Sequence, residues 1–376
     1  MAWAVCLALL APVPALAETE DPAKIRWSGD ARLRLESDVD SHRADGSERS
    51  DRDRLRLRAR VAVDYRPTEA LRFGLRLRTG SRDSHQSPHV TLEDFDGNPV
   101  GDSDLNVDKL FVQAKRDTEE GSLWGWAGRQ SLPFWKQNEL VWDDDVTPAG
   151  LAGGWTWNDA GDSGGKTTVQ LGFLTPPVGM RDFAGRLASA QWMRRSGPWT
   201  VALGLLALDA DPDSTDAVRL LRGNGLRDYQ LWIAAFQYRA SALGRSVTLG
   251  LDLIHNGESY GGASSDPLAA DFGDEKDGWV VSSRWGGGNR SGDDWSVAWT
   301  YAHIEALAVD ASYAQDDWMR WGSATETRSS DFSGHELRLT VALGRLGQLV
   351  TRYYDVESLS SVEDGRRLRL DWNIRF

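Results

Sequence analysis

One alternation constrains this chain more than any other feature. From residue 54 to 65, Leu55, Leu57, Ala59, Val61 and Val63 interleave with Arg54, Arg56, Arg58, Arg60 and Asp64. A helix, with 3.6 residues per turn, would scatter these arginines round its circumference. Only an extended strand, with a period of two, gathers them on one face and the aliphatic residues on the other. Arg66-Pro67-Thr68-Glu69 then makes a short turn. Beyond it, Leu71, Phe73, Leu75 and Leu77 alternate with Arg72, Gly74, Arg76 and Arg78.

The same period recurs to the end of the chain. It predicts sixteen strands, over 25–36, 54–65, 71–79, 106–115, 122–130, 150–158, 166–174, 187–194, 198–207, 229–239, 245–255, 278–285, 294–304, 334–343, 348–357 and 366–376. Connections alternate between short turns (66–70, 195–197, 344–347) and long polar segments (80–105, 256–277, 305–333). An even strand count, with short turns at one rim and long loops at the other, is the layout of a transmembrane antiparallel up-and-down β-barrel. No linker or charge block interrupts it, so residues 18–376 are expected to form one domain.

Periodicity alone does not say which face is dry, since a soluble sandwich alternates in the same way. The arginines decide. Turning strand 54–65 inside out would set four of them against lipid, at a cost on the order of 10 kcal/mol. Arg32, Arg34, Arg54, Arg56, Arg58, Arg60, Arg72, Arg76 and Arg78 are therefore expected to line the interior, which must be hydrated. A barrel of about sixteen strands is wide enough to hold an aqueous channel. Aromatic residues near predicted strand ends (Trp27, Tyr65, Phe73, Trp157, Trp199, Tyr238, Trp285 and Trp295) suit the interfacial girdles of such a barrel.

Residues 1–17 read as a cleaved secretory signal. Ala2 to Leu16 carry no charge, and Ala15-Leu16-Ala17 has the small-x-small spacing of a cleavage site ahead of Glu18. The one cysteine, Cys6, falls within it, which leaves no disulfide framework; Trp3-Ala4-Val5 before it is not a lipoprotein signal. A net charge of −13 argues against a nucleic-acid partner.

Two segments carry a family likeness. Trp126-Ala127-Gly128-Arg129-Gln130-Ser131-Leu132-Pro133-Phe134-Trp135 is followed by Leu140-Val141-Trp142-Asp143-Asp144-Asp145-Val146-Thr147-Pro148-Ala149-Gly150-Leu151-Ala152. Together with Val107–Gln113 before them, they resemble the "putative porin" family of Gram-negative outer membranes, in which a strand ending in Gly-Arg leads to a Pro-Phe-Trp segment and a Trp-Asp-rich run. The last strand, with Leu370, Trp372, Ile374 and Phe376, resembles the assembly signal of outer-membrane proteins generally. The resemblance implies passive diffusion of small hydrophilic solutes, no cofactor and no enzymatic role. It also implies an outer-membrane location, with lipid, lipopolysaccharide and the barrel-assembly machinery as partners and a homotrimer as a candidate assembly. In trimeric general porins the third long loop folds into the barrel and narrows it. That loop is 131–149 here, and the likeness places Glu139, Asp143, Asp144 and Asp145 toward the lumen, opposite the arginines. Phe134, Trp135 and Trp142 would either stack on sugar rings or anchor the loop. A channel specific for acidic solutes is the alternative, with a lipid hydrolase or a plugged adhesin-like barrel behind it.

Other chemical signals are weaker. Gly161-Asp162-Ser163-Gly164-Gly165 spells a serine-protease nucleophile, but no His42, His85 or His89 context supplies a base, and Gly, Asp and Ser are ordinary turn residues. His335-Glu336 lacks the second histidine of a zinc helix, since Leu339 stands there. Asp209, Asp211, Asp213 and Asp216 lack the glycine and distal glutamate of a calcium loop, leaving calcium-bridged surface lipid as a minor option. A hydrolase would need a Ser–His pair on the lipid-facing outer rim, and no such pair is expected from the strand register.

Overall fold

The computed structural model describes residues 24–101, 103–159, 165–211, 227–261, 266–287, 294–319 and 329–376. The proposed signal, with Cys6, lies outside them, as do Ser163, Asp213 and Asp216.

Sixteen antiparallel strands close into one barrel. They are β1 (Ile25–Val39), β2 (Arg52–Tyr65), β3 (Leu71–Gly80), β4 (Asp104–Asp117), β5 (Gly121–Arg129), β6 (Ala149–Asn158), β7 (Lys166–Thr175) and β8 (Arg186–Ser196). The second half comprises β9 (Trp199–Asp209), β10 (Tyr229–Ala242), β11 (Arg245–Asn256), β12 (Asp277–Gly286), β13 (Trp295–Ile304), β14 (Phe332–Ala342), β15 (Gln348–Ser358) and β16 (Asp364–Arg375). Each pairs with its neighbours in sequence. β1 pairs with β16 from Asp30↔Arg375 to Val39↔Arg366, so no edge is left open. Each expected strand has its counterpart, with ends shifted by a few residues.

The long loops hold structure that periodicity did not reveal. Within the second (81–103), a short strand Val90–Asp94 pairs with the loop-side end of β2 where β3 has stopped. Two-residue hairpins occupy the first and fourth loops, and a six-residue helix, α1 (Pro267–Phe272), sits in the sixth, capped by Asp266.

Burial runs opposite to that of a soluble protein. Leu33, Val61, Leu75, Leu151, Leu203, Leu253, Val297, Leu339 and Leu370 are exposed on the outside, while Arg34, Glu36, Arg78, Asp108, Arg369 and Asp371 are buried inside. An apolar exterior needs lipid outside; the interior is charged along β1–β3 and β16 and apolar toward the loops, where Leu206, Leu231, Val280 and Tyr354 belong to buried clusters with residues of the third and seventh loops. The eight aromatics singled out above sit at the turn-side rim, where Tyr65 pairs with Phe73, Trp199 with Tyr238 and Trp285 with Trp295. Phe173, Trp232 and Trp279 stand outward near the loop-side ends of their strands.

Candidate functional site

The arginine face of β1–β3 is built by register. Arg32 lies opposite Arg58, Arg34 opposite Arg56, and Arg60 opposite Arg78. Like charges so placed repel, and the structure relieves them with carboxylates of the same inward parity. Arg34 makes a two-point contact with Asp371 at 2.6 and 3.1 Å. Arg58 and Arg60 share Asp30, at 2.8 and 2.9 Å. Glu36 binds Arg54 and Arg369, and lies 3.6 Å from Arg56. Asp64 takes Arg72 at 2.7 Å, Asp108 takes Arg76, and Arg32 donates to Asn373 at 2.6 Å. Arg78, wholly buried, donates to the carbonyls of Asp145 and His85 at 2.7 and 2.8 Å.

Sequence reasoning found the arginines and missed most of these acids. Asp30, Glu36 and Asp38 share the parity of Arg32 and Arg34 in β1, so the signal was present in the alternation itself. Asp317, from the seventh loop (305–331), carried no such signal. It meets Arg369 at 2.6 Å, Arg34 at 3.6 Å and Arg352 at 3.7 Å.

The third loop (130–148) crosses the interior. Phe134 lies over Gly204, where an added Cβ would come within 2.0 Å of its ring. The Trp135 backbone exchanges hydrogen bonds with the Gln191 side chain at 2.7 and 2.8 Å, and Gln137 donates to Asp252 at 2.7 Å. Since Gln191, Gly204 and Asp252 all face inward on β8, β9 and β11, the loop is docked on the inner wall. Trp142 is buried and stacks on Tyr313 of the seventh loop with ring centres 5.1 Å apart. It anchors the loop and leaves no face for a solute. Phe134 and Trp135, with Trp124 and Trp126, line a recess of about 430 Å³.

The acids of this loop divide into three kinds. Asp145 reaches the wall, 2.7 Å from Arg60 and 3.8 Å from Arg58. The two charge sets therefore meet in contact rather than face each other across a gap. Burial opposes ionisation of Asp145, but Arg60, Arg58 and Arg78 outweigh it and hold its carboxyl below the usual range. Asp144 is the open one, its side chain 70% exposed and paired with Lys136 at 2.7 Å. Asp143 is buried, and burial, then Glu139 and Asp145, push it well above the usual carboxylate range. Burial also raises Glu139, with Asp144 and Asp145 adding to the effect against Lys136.

Four loops lock together here. His85 of the second loop accepts from Gly179 of the fourth at 3.1 Å and donates to the Ser312 carbonyl of the seventh at 2.7 Å. Burial pushes its imidazole down to about 4, so it stays neutral. Asp143 N–H donates to the Tyr313 carbonyl at 2.7 Å.

The remaining candidates resolve simply. Leu370, Trp372, Ile374 and Phe376 face outward; Trp372 donates to the Leu346 carbonyl at 2.8 Å, and Phe376 lies against Gly29. His335 sits outward on β14 against Trp299 and Tyr301. Among the described residues no group of three metal-binding side chains occurs. One expectation needs correction, because the register does set His303 opposite Ser333 on the outer wall. Ser333 Oγ, however, donates to Glu357 at 3.2 Å, and His303 stacks on Trp279. No contact joins the two as nucleophile and base.

Comparison with known proteins agrees with this architecture. Residues 42–174 match the family model described as "putative porin". No curated protein matches the sequence. Among solved structures, OprB of Pseudomonas putida is similar with a TM-score of 0.56 at 13% identity, covering 94% of each chain. OmpF of Salmonella typhi, in a complex with daunomycin, gives 0.51 at 10% identity, covering 93% of this chain and 97% of that one. At such identities the likeness is one of fold. Over residues 42–174 this chain carries the signature of the "putative porin" family, and the barrel that contains them has the fold of outer-membrane porins.

Proposed function

We propose that the chain is a diffusion porin of the outer membrane, passing small hydrophilic solutes through a channel whose bore is set by the third and seventh loops. The observation that carries this reading is the third loop docked across the inner wall of a closed, lipid-facing barrel with a charged interior. The nine arginines of β1–β3 enter as a neutralised network and not as a bare basic surface. In this reading they hold the loop in place through Asp145 and brace the thinly separated strands against one another. Homotrimer formation, lipopolysaccharide contact and delivery by a cleaved signal through the barrel-assembly machinery belong to the same proposal.

The test is conductance of the refolded chain in a planar lipid bilayer. Stepwise current increments, blocked in size order by polyethylene glycols of increasing mass, are expected. A protein that folds and inserts yet passes no ions would refute the porin reading.

A further inference from the structure

A second set of inward cations lies on the opposite wall. Strand tilt in a barrel makes residues that face each other on successive strands sit at successive heights, so each cross-strand row climbs the wall. One such row starts at Arg239, near the turn-side end of β10. It continues through Thr248, Arg284, Ala298, Arg338, Arg352 and Arg369, and meets Glu36 on β1. Five arginines thus form one ascending track from the turn-side mouth toward the third and seventh loops. The two spacers, Thr248 and Ala298, are small, so nothing stands between the arginines on β10, β12 and β14. With strands about 4.8 Å apart, those steps are about 10 Å.

Water access and pairing change along the track. Arg239 and Arg284 are exposed, the Arg338 side chain is 30% exposed, Arg352 is 13% exposed and Arg369 is buried. The upper steps have acids: Glu336 holds Arg338 at 2.7 Å, and Asp317 meets Arg352 and Arg369. The lower steps have none. Among the described residues, no carboxylate lies within ion-pair distance of Arg239 or Arg284, nor of Lys166 and Arg195, which face each other on β7 and β8 at the same mouth. The β1–β3 arginines differ in this respect, since nearly all meet a carboxylate or a carbonyl. Inside a low-dielectric wall, cations without counter-charges raise the local anion concentration and set the sign of the selected ion. Guanidinium groups also bind oxyanions through two parallel N–H donors.

We propose that this track, Arg239–Arg284–Arg338–Arg352, is the anion pathway of the channel and that it conducts small oxyanions, carboxylates or phosphates, between the turn-side mouth and the loops. The inference rests on the porin reading, and the measurement separates the two. The full chain is refolded into a planar bilayer under a potassium chloride gradient, and the reversal potential gives the anion-to-cation permeability ratio; inorganic phosphate and acetate are then added as probes. The wild type is expected to prefer anions, with phosphate and acetate reducing chloride current. Replacing Arg239, Arg284 and Arg338 together by Gln should lower the ratio about tenfold. Replacing them by Lys should keep the ratio while weakening the oxyanion block. Arg345→Gln, in a turn at the same rim, should leave both unchanged. A triple Gln variant with the wild-type ratio, or a wild type that prefers cations, would overturn the track while leaving the pore intact. An inserted wild type without current would overturn both. Should the Gln variant fail to fold, the Lys variant decides: oxyanion block equal to wild type would overturn the role of the guanidinium groups.

Discussion

At the scale of single residues, the lumen is governed by compensation. Asp145 is the one side chain of the third loop that reaches the β2 arginines, so removing its charge leaves Arg58 and Arg60 to share Asp30 alone in a partly buried site. Asp145→Asn is expected to weaken the folded barrel by about 3 kcal/mol, as when one partner of a buried pair is deleted. Arg60→Gln in the same background should restore part of that loss. A double-mutant cycle by urea titration in detergent would measure the coupling, and additivity of the two losses would show that the pair is only incidental. Gly204 offers a steric test. Its inner face is filled by the Phe134 ring, so Gly204→Val must displace the loop from β9 without touching any charge. The expected outcome is a changed single-channel conductance with barrel stability, read by heat-dependent gel mobility, largely kept. The arginine half of this site was legible because strict alternation over many residues leaves only one face for each side chain. Its acid half was legible in part: Asp30, Glu36 and Asp371 share the inward parity, whereas Asp317 lies in an irregular loop whose path no periodicity encodes.

Strands and loops differ in how they are specified. The sixteen strands follow from local alternation, since lipid outside and water inside impose a period of two on each one independently. Within the loops, the short strand at Val90–Asp94 and the helix at Pro267–Phe272 depend on tertiary partners, which explains why sequence missed them. The loop assembly also responds to pH. Burial in the seventh loop pushes Asp310 up to about 7, against the opposing help of Ser312 and Arg227. Its ordinary value is 3.8, so the packed loop binds a proton that the released loop gives up. Packing stability is therefore full below about pH 4 and declines as pH rises through about 7. Asp317 acts at the other end: burial resists its charge, but Arg369, Arg34 and Arg352 hold its carboxyl far below the usual range, so its contribution fades only under strong acid. Limited proteolysis of the loops between pH 5 and 9 should show cleavage in 305–319 rising toward alkaline pH, and Asp310→Asn should flatten that profile. Equal cleavage of both proteins at each pH would contradict the assignment. Trp142→Ala should have a similar loosening effect at all pH values, because it removes the ring that stacks on Tyr313.

The molecule as a whole is stable only in its two-solvent surroundings, and this can be tested by exchanging the faces. Leu33 stands near the middle of β1, is 37% exposed on the outer wall and faces Leu57 of β2 and Trp372 of β16. Its neighbours in sequence, Arg32 and Arg34, point the other way into carboxylates and Asn373. Leu33→Arg adds the same side chain that the strand already carries at Arg26, Arg32 and Arg34, and differs only in the face that receives it. At mid-bilayer depth the substitution should cost about 2–4 kcal/mol. Leu33→Met should cost well under that, since it keeps an apolar group in lipid. Refolding titrations into phospholipid vesicles would measure both, and the same pair examined in detergent micelles isolates the lipid contribution, because micelles thin and hydrate locally around a charge. A Leu33→Arg protein as stable in vesicles as the wild type would mean that this face is covered by something other than lipid. Cross-linking of the wild type would then test whether a second copy of the chain covers β1, β2 and β16.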